Sequence, residues 1–168
     1  TLHYGGDLPC VVFHLAQSTV GIIYSQFTKD RITQTEKMRR DDIKEFLHWF
    51  AGIARRRASL HGDFNVDWLS PSITKDVLVA WSKDNDFVQL VKGPTRKAKN
   101  NQGIMTRKCM DLVFSRNHGS STFVFDSGIS DHYGTGSVIS RRRETRRTVT
   151  VQKYELTDTL KQWMSENP

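Results

Sequence analysis

The chain alternates between short runs rich in β-branched and aromatic residues and two longer stretches with a helical period. Pro9 to Leu15 and Thr19 to Tyr24 are the first such runs, with only a few residues between them. That spacing predicts two adjacent strands forming a hairpin. From Thr35 to about Arg57, Ile43, Phe46, Leu47, Phe50 and Ala54 recur on one helical face. The pattern predicts an amphipathic helix capped by Thr35, with Glu36 in its first turn and Arg55, Arg56 and Arg57 at its carboxyl end. A strand is expected at Ala58 to Leu60, and a second helix at Ile73 to Asn85 with Val77, Leu78 and Trp81 inward. Phe87 to Val91, Cys109 to Phe114, Thr122 to Phe125 and Gly136 to Ile139 read as further strands. Lys92 to Lys108, rich in Gly, Asn and basic residues, reads as a loop. After Ile139 the hydrophobic period stops at the arginine-rich 141–147 segment. Residues 1–140 are therefore expected to be one domain, and 141–168 a basic linker with a short helix from Leu156 to Met164.

Length and composition narrow the class. The 168 residues suit one ordinary domain, and seventeen aromatic residues argue against a disordered chain. With two cysteines, Cys10 and Cys109, a disulfide scaffold is excluded, and the usage suits a reducing, intracellular setting, nuclear or cytoplasmic. No apolar run approaches the roughly 20 residues of a membrane helix, so no membrane partner is expected. The net charge of +7 and a pI of about 9.6 favour a polyanionic partner.

Three segments have residues suited to chemistry. Gly62-Asp63-Phe64-Asn65 follows a short strand, so Asp63 and Asn65 are presented together at its end. A carboxylate there can activate a water or bind a hard cation, and the carboxamide can donate to a phosphate oxygen. The same four residues also suit an ordinary turn. Ser130-Asp131-His132 places a carboxylate beside an imidazole, suited to acid–base work or to a polar surface loop. Asp111 interrupts the apolar run Met110-Asp111-Leu112-Val113. Either it faces solvent on an open sheet face, or it accepts a hydrogen bond from an imidazole and fixes its tautomer.

In order and spacing, Gly21 to Tyr24, Gly62 to Asn65, Gly93-Pro94-Thr95-Arg96, Met110 to Ser115 and Ser130 to His132 resemble the endonuclease/exonuclease/phosphatase superfamily. The resemblance is greatest to the apurinic-type endonuclease domain of non-LTR retrotransposons, over about residues 10 to 140. It implies an α+β fold, a four-layer α/β/β/α sandwich whose amino-terminal part is missing from this chain. It also implies a magnesium-dependent phosphodiesterase that nicks DNA, followed in the parent protein by a reverse transcriptase domain. In the roles the resemblance assigns, Asp63 activates the water, and Asn65 and Tyr24 hold phosphate oxygens. Asp111 orients His132 toward the scissile phosphate, and Asp131 lies near the metal or the general acid. Thr95, Arg96 and Ser130 contact substrate.

The chain departs from that pattern in three places. No residue before Tyr24 supplies the family's metal-binding Glu, and Asp7 lies too close to the first strand to replace it. Ser25-Gln26-Phe27 stands where Arg-Pro-Pro is usual, and His61 where a small or apolar residue is usual. The expectation is therefore weak or absent nuclease activity in this chain. A non-catalytic nucleic-acid-binding fragment is the alternative, and a phosphatase acting on a small phosphorylated or lipid substrate is a further one. Arg96, Lys97, Lys99, Arg107 and Lys108 are expected to contact a DNA backbone.

Overall fold

The structure is a computed structural model. It describes residues 4–140 except 7, 26–35, 101 and 117–118. The Thr35 cap, Asp7 and everything expected over 141–168, including the linker and its short helix, fall outside the described residues.

The centre is a five-stranded mixed sheet in the order β1-β2-β3-β7-β4. β1 (Cys10–Leu15) and β2 (Ser18–Tyr24) form the expected antiparallel hairpin. β2 runs parallel to β3 (Arg57–Asp63), and helix α1 (Glu36–Ile53) makes the crossover that parallel neighbours require. β7 (Asp111–Arg116) lies antiparallel to both β3 and the two-residue edge strand β4 (Val88–Gln89). Helix α2 (Ile73–Asp84) stands between β3 and β4 in sequence. Ser72 caps it, its hydroxyl accepting from the Lys75 amide at 3.1 Å.

Both helices cover one face of the sheet. Ile43, Phe46, Leu47 and Phe50 of α1 are buried with Leu78 and Trp81 of α2 over Val12, Ile23, Leu60, Leu112 and Phe114. Aromatic rings set the spacing: Trp81 stacks on Phe87 at 4.7 Å, while Phe64, Trp68 and Trp81 meet Phe114 edge-on. The indole of Trp81 donates to the Leu47 carbonyl at 3.0 Å and ties the helices together. The opposite face is mixed. Toward β1 it exposes Val11, Phe13, Leu15 and Ile22. Toward β3 and β7 it carries His61, Asp63 and Asp111, partly buried.

Several elements differ from expectation. Helix α1 ends at Ile53, so the three arginines are not its last turn. Arg55 instead donates to the carbonyls of Leu15 and Ala16 at 2.8 and 2.7 Å, closing the β1–β2 turn onto the helix end, and Arg57 opens β3. The loop expected from Lys92 to Lys108 contains a hairpin, β5 (Arg96–Lys99) with β6 (Met105–Lys108). Its turn is held by Asn100, whose side-chain oxygen accepts from the amides of Gln102 and Ile104. β8 (Gly119–Phe125) and β9 (Gly134–Ser140) form a separate antiparallel ribbon. The described residues thus make an α+β fold with one mixed central sheet and two helices.

Candidate active site

Asp63 ends β3, and the backbone explains why it is presented there. Gly62 has φ +144°, and Asn65 is left-handed at φ 50°. Asn tolerates that conformation better than most residues. The Asn65 amide donates to Asp63 Oδ1 at 2.8 Å, which closes the turn and fixes the carboxylate. Asp63 pairs with Tyr24 of β2 on one side and with Asp111 of β7 on the other. These three residues therefore occupy one row across the strand ends, on the face away from the helices.

His132 reaches this row from the β8–β9 loop. That loop is docked on the free edge of β5. Lys97 donates its amide to the Asp131 carbonyl at 3.0 Å, and Tyr133 donates to the Thr95 carbonyl at 2.6 Å. The result places His132 Nδ1 3.0 Å from Asp111 Oδ2. Of the two readings of Asp111, the structure takes the one in which it meets an imidazole. Asp63, Asp111 and His132 each offer a ligand atom within 4.8 Å of the others. Partial burial raises the pKa of Asp63, and the Asp111 charge adds to the rise. The Asn65 amide, His132 and Arg96 oppose it without cancelling it. Two carboxylates this close in a half-buried row favour a shared proton or a bound cation.

The other expected residues divide. Asp131 is close by, but its carboxylate is engaged by Arg96 Nε at 2.7 Å, and that bond lowers its pKa. The group of possible metal ligands among the described residues is Asp63, Asp111 and His132, without Asp131. Asp131, expected near the metal, holds Arg96 in place. Thr95 is fully buried, and its hydroxyl accepts from the amides of Met110 and Asp111, both at 2.9 Å. It therefore anchors the start of β7. Asn65 turns its side-chain amide to the Ser25 carbonyl. Tyr24 is exposed at the end of β2. Ser130 is exposed and accepts from the His132 amide at 3.1 Å, bracing the loop.

Arg96, Lys97, Lys99, Arg107 and Lys108 all belong to the β5–β6 hairpin that supports this loop. Lys97 spends its ammonium on Asp126, at 3.2 Å, and lies over the Tyr133 ring. Of three further neighbours, sequence reasoning noted His61 only as a departure from the family pattern and passed over Arg39 and Asp67. His61 lies one row deeper on the same face as Asp63, and desolvation lowers its pKa. Arg39 of α1 donates to the Asn65 carbonyl at 3.3 Å. Asp67 accepts from the Cys109 amide at 3.1 Å. For His61 the strand alternation with Asp63 was a usable signal; for Arg39 and Asp67 only the fold reveals the contact.

No protein-family profile matches the chain, and no curated protein matches it. Solved structures do. The endonuclease domain of TRAS1, a telomere-specific non-LTR retrotransposon, superposes with a TM-score of 0.53 at 15% identity. The match covers 83% of this chain and 72% of that domain. An endonuclease/exonuclease/phosphatase family protein from Leptotrichia buccalis C-1013-b superposes at 0.52 with 14% identity, over 79% of this chain and 53% of the other. At such identity the likeness is one of fold: the chain is structurally similar to endonuclease/exonuclease/phosphatase domains.

Proposed function

We propose that this chain carries the phosphodiester-cleaving site of a DNA endonuclease of retroelement type. The observation that carries the reading is the Asp63, Asp111 and His132 cluster at the strand ends, with the imidazole bonded to Asp111. The similarity of fold to the TRAS1 endonuclease domain supports the substrate class, as does the basic hairpin beside the cluster. A four-layer sandwich in the whole protein belongs to the same proposal.

The cluster fits a divalent metal through hard carboxylate oxygens and one imidazole, with Asp63, Asp111 and His132 as the residues that would hold it; magnesium is the proposed ion. When bound, the ion would offset negative charge that develops on the phosphate. In this chain Asp63, fixed at the end of β3 by the Asn65 amide, orients the attacking water beside the ion. Asp111 accepts from His132 Nδ1, which leaves Nε2 as the nitrogen that would hold the ion. Asn65 and Tyr24 hold non-bridging oxygens, and Arg96, fixed by Asp131, adds a positive charge at the rim.

The test is nicking of supercoiled plasmid by the purified chain in magnesium, against Asp63→Ala and His132→Ala. With no Glu in the cluster among the described residues, the account expects slow nicking that both substitutions abolish. Salt-sensitive DNA binding without nicking would favour the non-catalytic alternative. Cleavage of small phosphate monoesters in preference to DNA would favour the phosphatase reading.

A further inference from the structure

Asp67 lies two residues beyond Asn65, outside every role assigned above. Its Oδ1 accepts from the amides of Leu69 and Cys109, both at 3.1 Å, and its Oδ2 accepts from the Ser70 hydroxyl at 2.8 Å. The bond to Cys109 reaches across the sheet. β3 ends at Asp63, and the left-handed Asn65 turns the chain aside. Pairing with the segment before β7 nevertheless continues. Phe64 donates to the Met110 carbonyl at 3.0 Å, and Trp68 donates to the Cys109 carbonyl at 2.8 Å. The Cys109 amide answers to the Asp67 carboxylate, so a side-chain oxygen stands where a strand carbonyl would continue the ladder. From the other side, the Thr95 hydroxyl takes the next two amides, Met110 and Asp111. Three consecutive amides leading to the site carboxylate are thus held by side-chain oxygens.

We propose that Asp67 is a positioning residue: by holding Cys109 to the turn that carries Asp63 and Asn65, it sets the placement of Asp111, and through it His132, against Asp63. The assignment rests on the phosphodiesterase reading of that cluster. Like charges directly across neighbouring strands push apart, and Asp63 and Asp111 are such a pair at the point where β3 leaves the sheet. A clamp immediately beyond them resists that splaying. Partial burial pushes the Asp67 carboxyl up, but the Cys109, Ser70 and Leu69 bonds outweigh it and hold the group below its ordinary range. It is therefore a full carboxylate at neutral pH.

The experiment compares Asp67→Ala with Asp67→Asn, which keeps a side-chain carbonyl for the Cys109 amide. Asp67→Glu, which displaces the carboxylate by one methylene, stands in if the alanine variant does not fold. Ile43→Val, in the α1 core, controls for a general loss of stability. Two quantities are read: the NMR resonance of the His132 Nδ1 proton, sharp only while the imidazole stays on Asp111, and the affinity for Mn²⁺ from water-proton relaxation. Asp67→Ala or Asp67→Glu should broaden the imidazole proton and weaken Mn²⁺ binding about tenfold or more, as loss of an outer-shell partner does at metal sites. Asp67→Asn should restore both, and Ile43→Val should change neither. An imidazole proton unchanged in Asp67→Ala, or not restored by Asp67→Asn, overturns the assignment. An imidazole proton that depends on Asp67 in a chain that binds no Mn²⁺ upholds the positioning role and counts against the metal reading alone.

Discussion

Gly62→Ala is a severe perturbation at a single atom. A Cβ at Gly62 would lie 1.8 Å from the carbonyl oxygen of Ile23 and 3.0 Å from Ile23 Cγ2, where contacts under 3.0 Å are essentially never seen. Ile23 and Gly62 are partners in the parallel β2–β3 pair, so relief requires the two central strands to part by about an ångström or Gly62 to leave φ +144°. Backbone strain of this kind costs about 1–3 kcal/mol. Displacing strands against a close-packed core costs about another 1–3 kcal/mol. The sum, about 2–6 kcal/mol, is a large fraction of the roughly 5–15 kcal/mol that holds an ordinary domain folded. Gly52 is the internal comparison. It lies in helix α1 with nothing within 4 Å of its would-be Cβ, so Gly52→Ala should stabilise by about 0.5–1 kcal/mol. Urea unfolding of the three proteins measures both changes. A Gly62→Ala chain within about 1 kcal/mol of the parent would refute the packing of β2 on β3 described here.

Thr95→Val should destabilise by about 1–3 kcal/mol, because one buried and one part-buried amide lose their acceptor, while Thr95→Ser should cost less than about 1 kcal/mol. Unchanged stability with weakened DNA binding would return Thr95 to a substrate contact. Asp67 has a depressed pKa, so its contribution to stability is present above the ordinary aspartate value of about 3.9 and is lost as pH falls through the lower folded value. The stability gap between the parent and Asp67→Ala should therefore be full at pH 7 and close at acid pH; a gap constant with pH would contradict this. Replacing Arg96, Lys97, Lys99, Arg107 and Lys108 together by Gln should weaken DNA binding and flatten its dependence on salt in a titration by fluorescence anisotropy. An unchanged salt slope would remove the hairpin from the interface.

Where local pattern and tertiary packing agree, the elements were readable in the residues. The stripe from Ile43 to Phe50 is buried as its period requires, and the two opening apolar runs pair as a hairpin. The row of Asp63 and Asp111, with His132 against Asp111, matches the motifs that suggested it. The misses share a cause: each depends on partners distant in sequence. β5 and β6 are short and basic, with few β-branched residues, and owe their form to each other and to the docked 131–133 segment. Arg55 lies beyond the helix end, and its side chain bonds the carbonyls of Leu15 and Ala16, distant in sequence. Nothing local reveals that Arg96, thirty-five residues earlier, bonds Asp131. Nothing local reveals that the Thr95 hydroxyl is buried against the amides of Met110 and Asp111.

The central claim is that Asp63, Asp111 and His132 act as one cation-binding group. Paramagnetic broadening by substoichiometric Mn²⁺, mapped residue by residue in the NMR spectrum, tests it most directly. The account predicts broadening centred on the ends of β3 and β7 and on the 130–133 loop. It should be lost in Asp63→Ala and should weaken as pH falls into the range where Asp63, with its raised pKa, takes up a proton. Broadening centred elsewhere, or undiminished in Asp63→Ala, would contradict it.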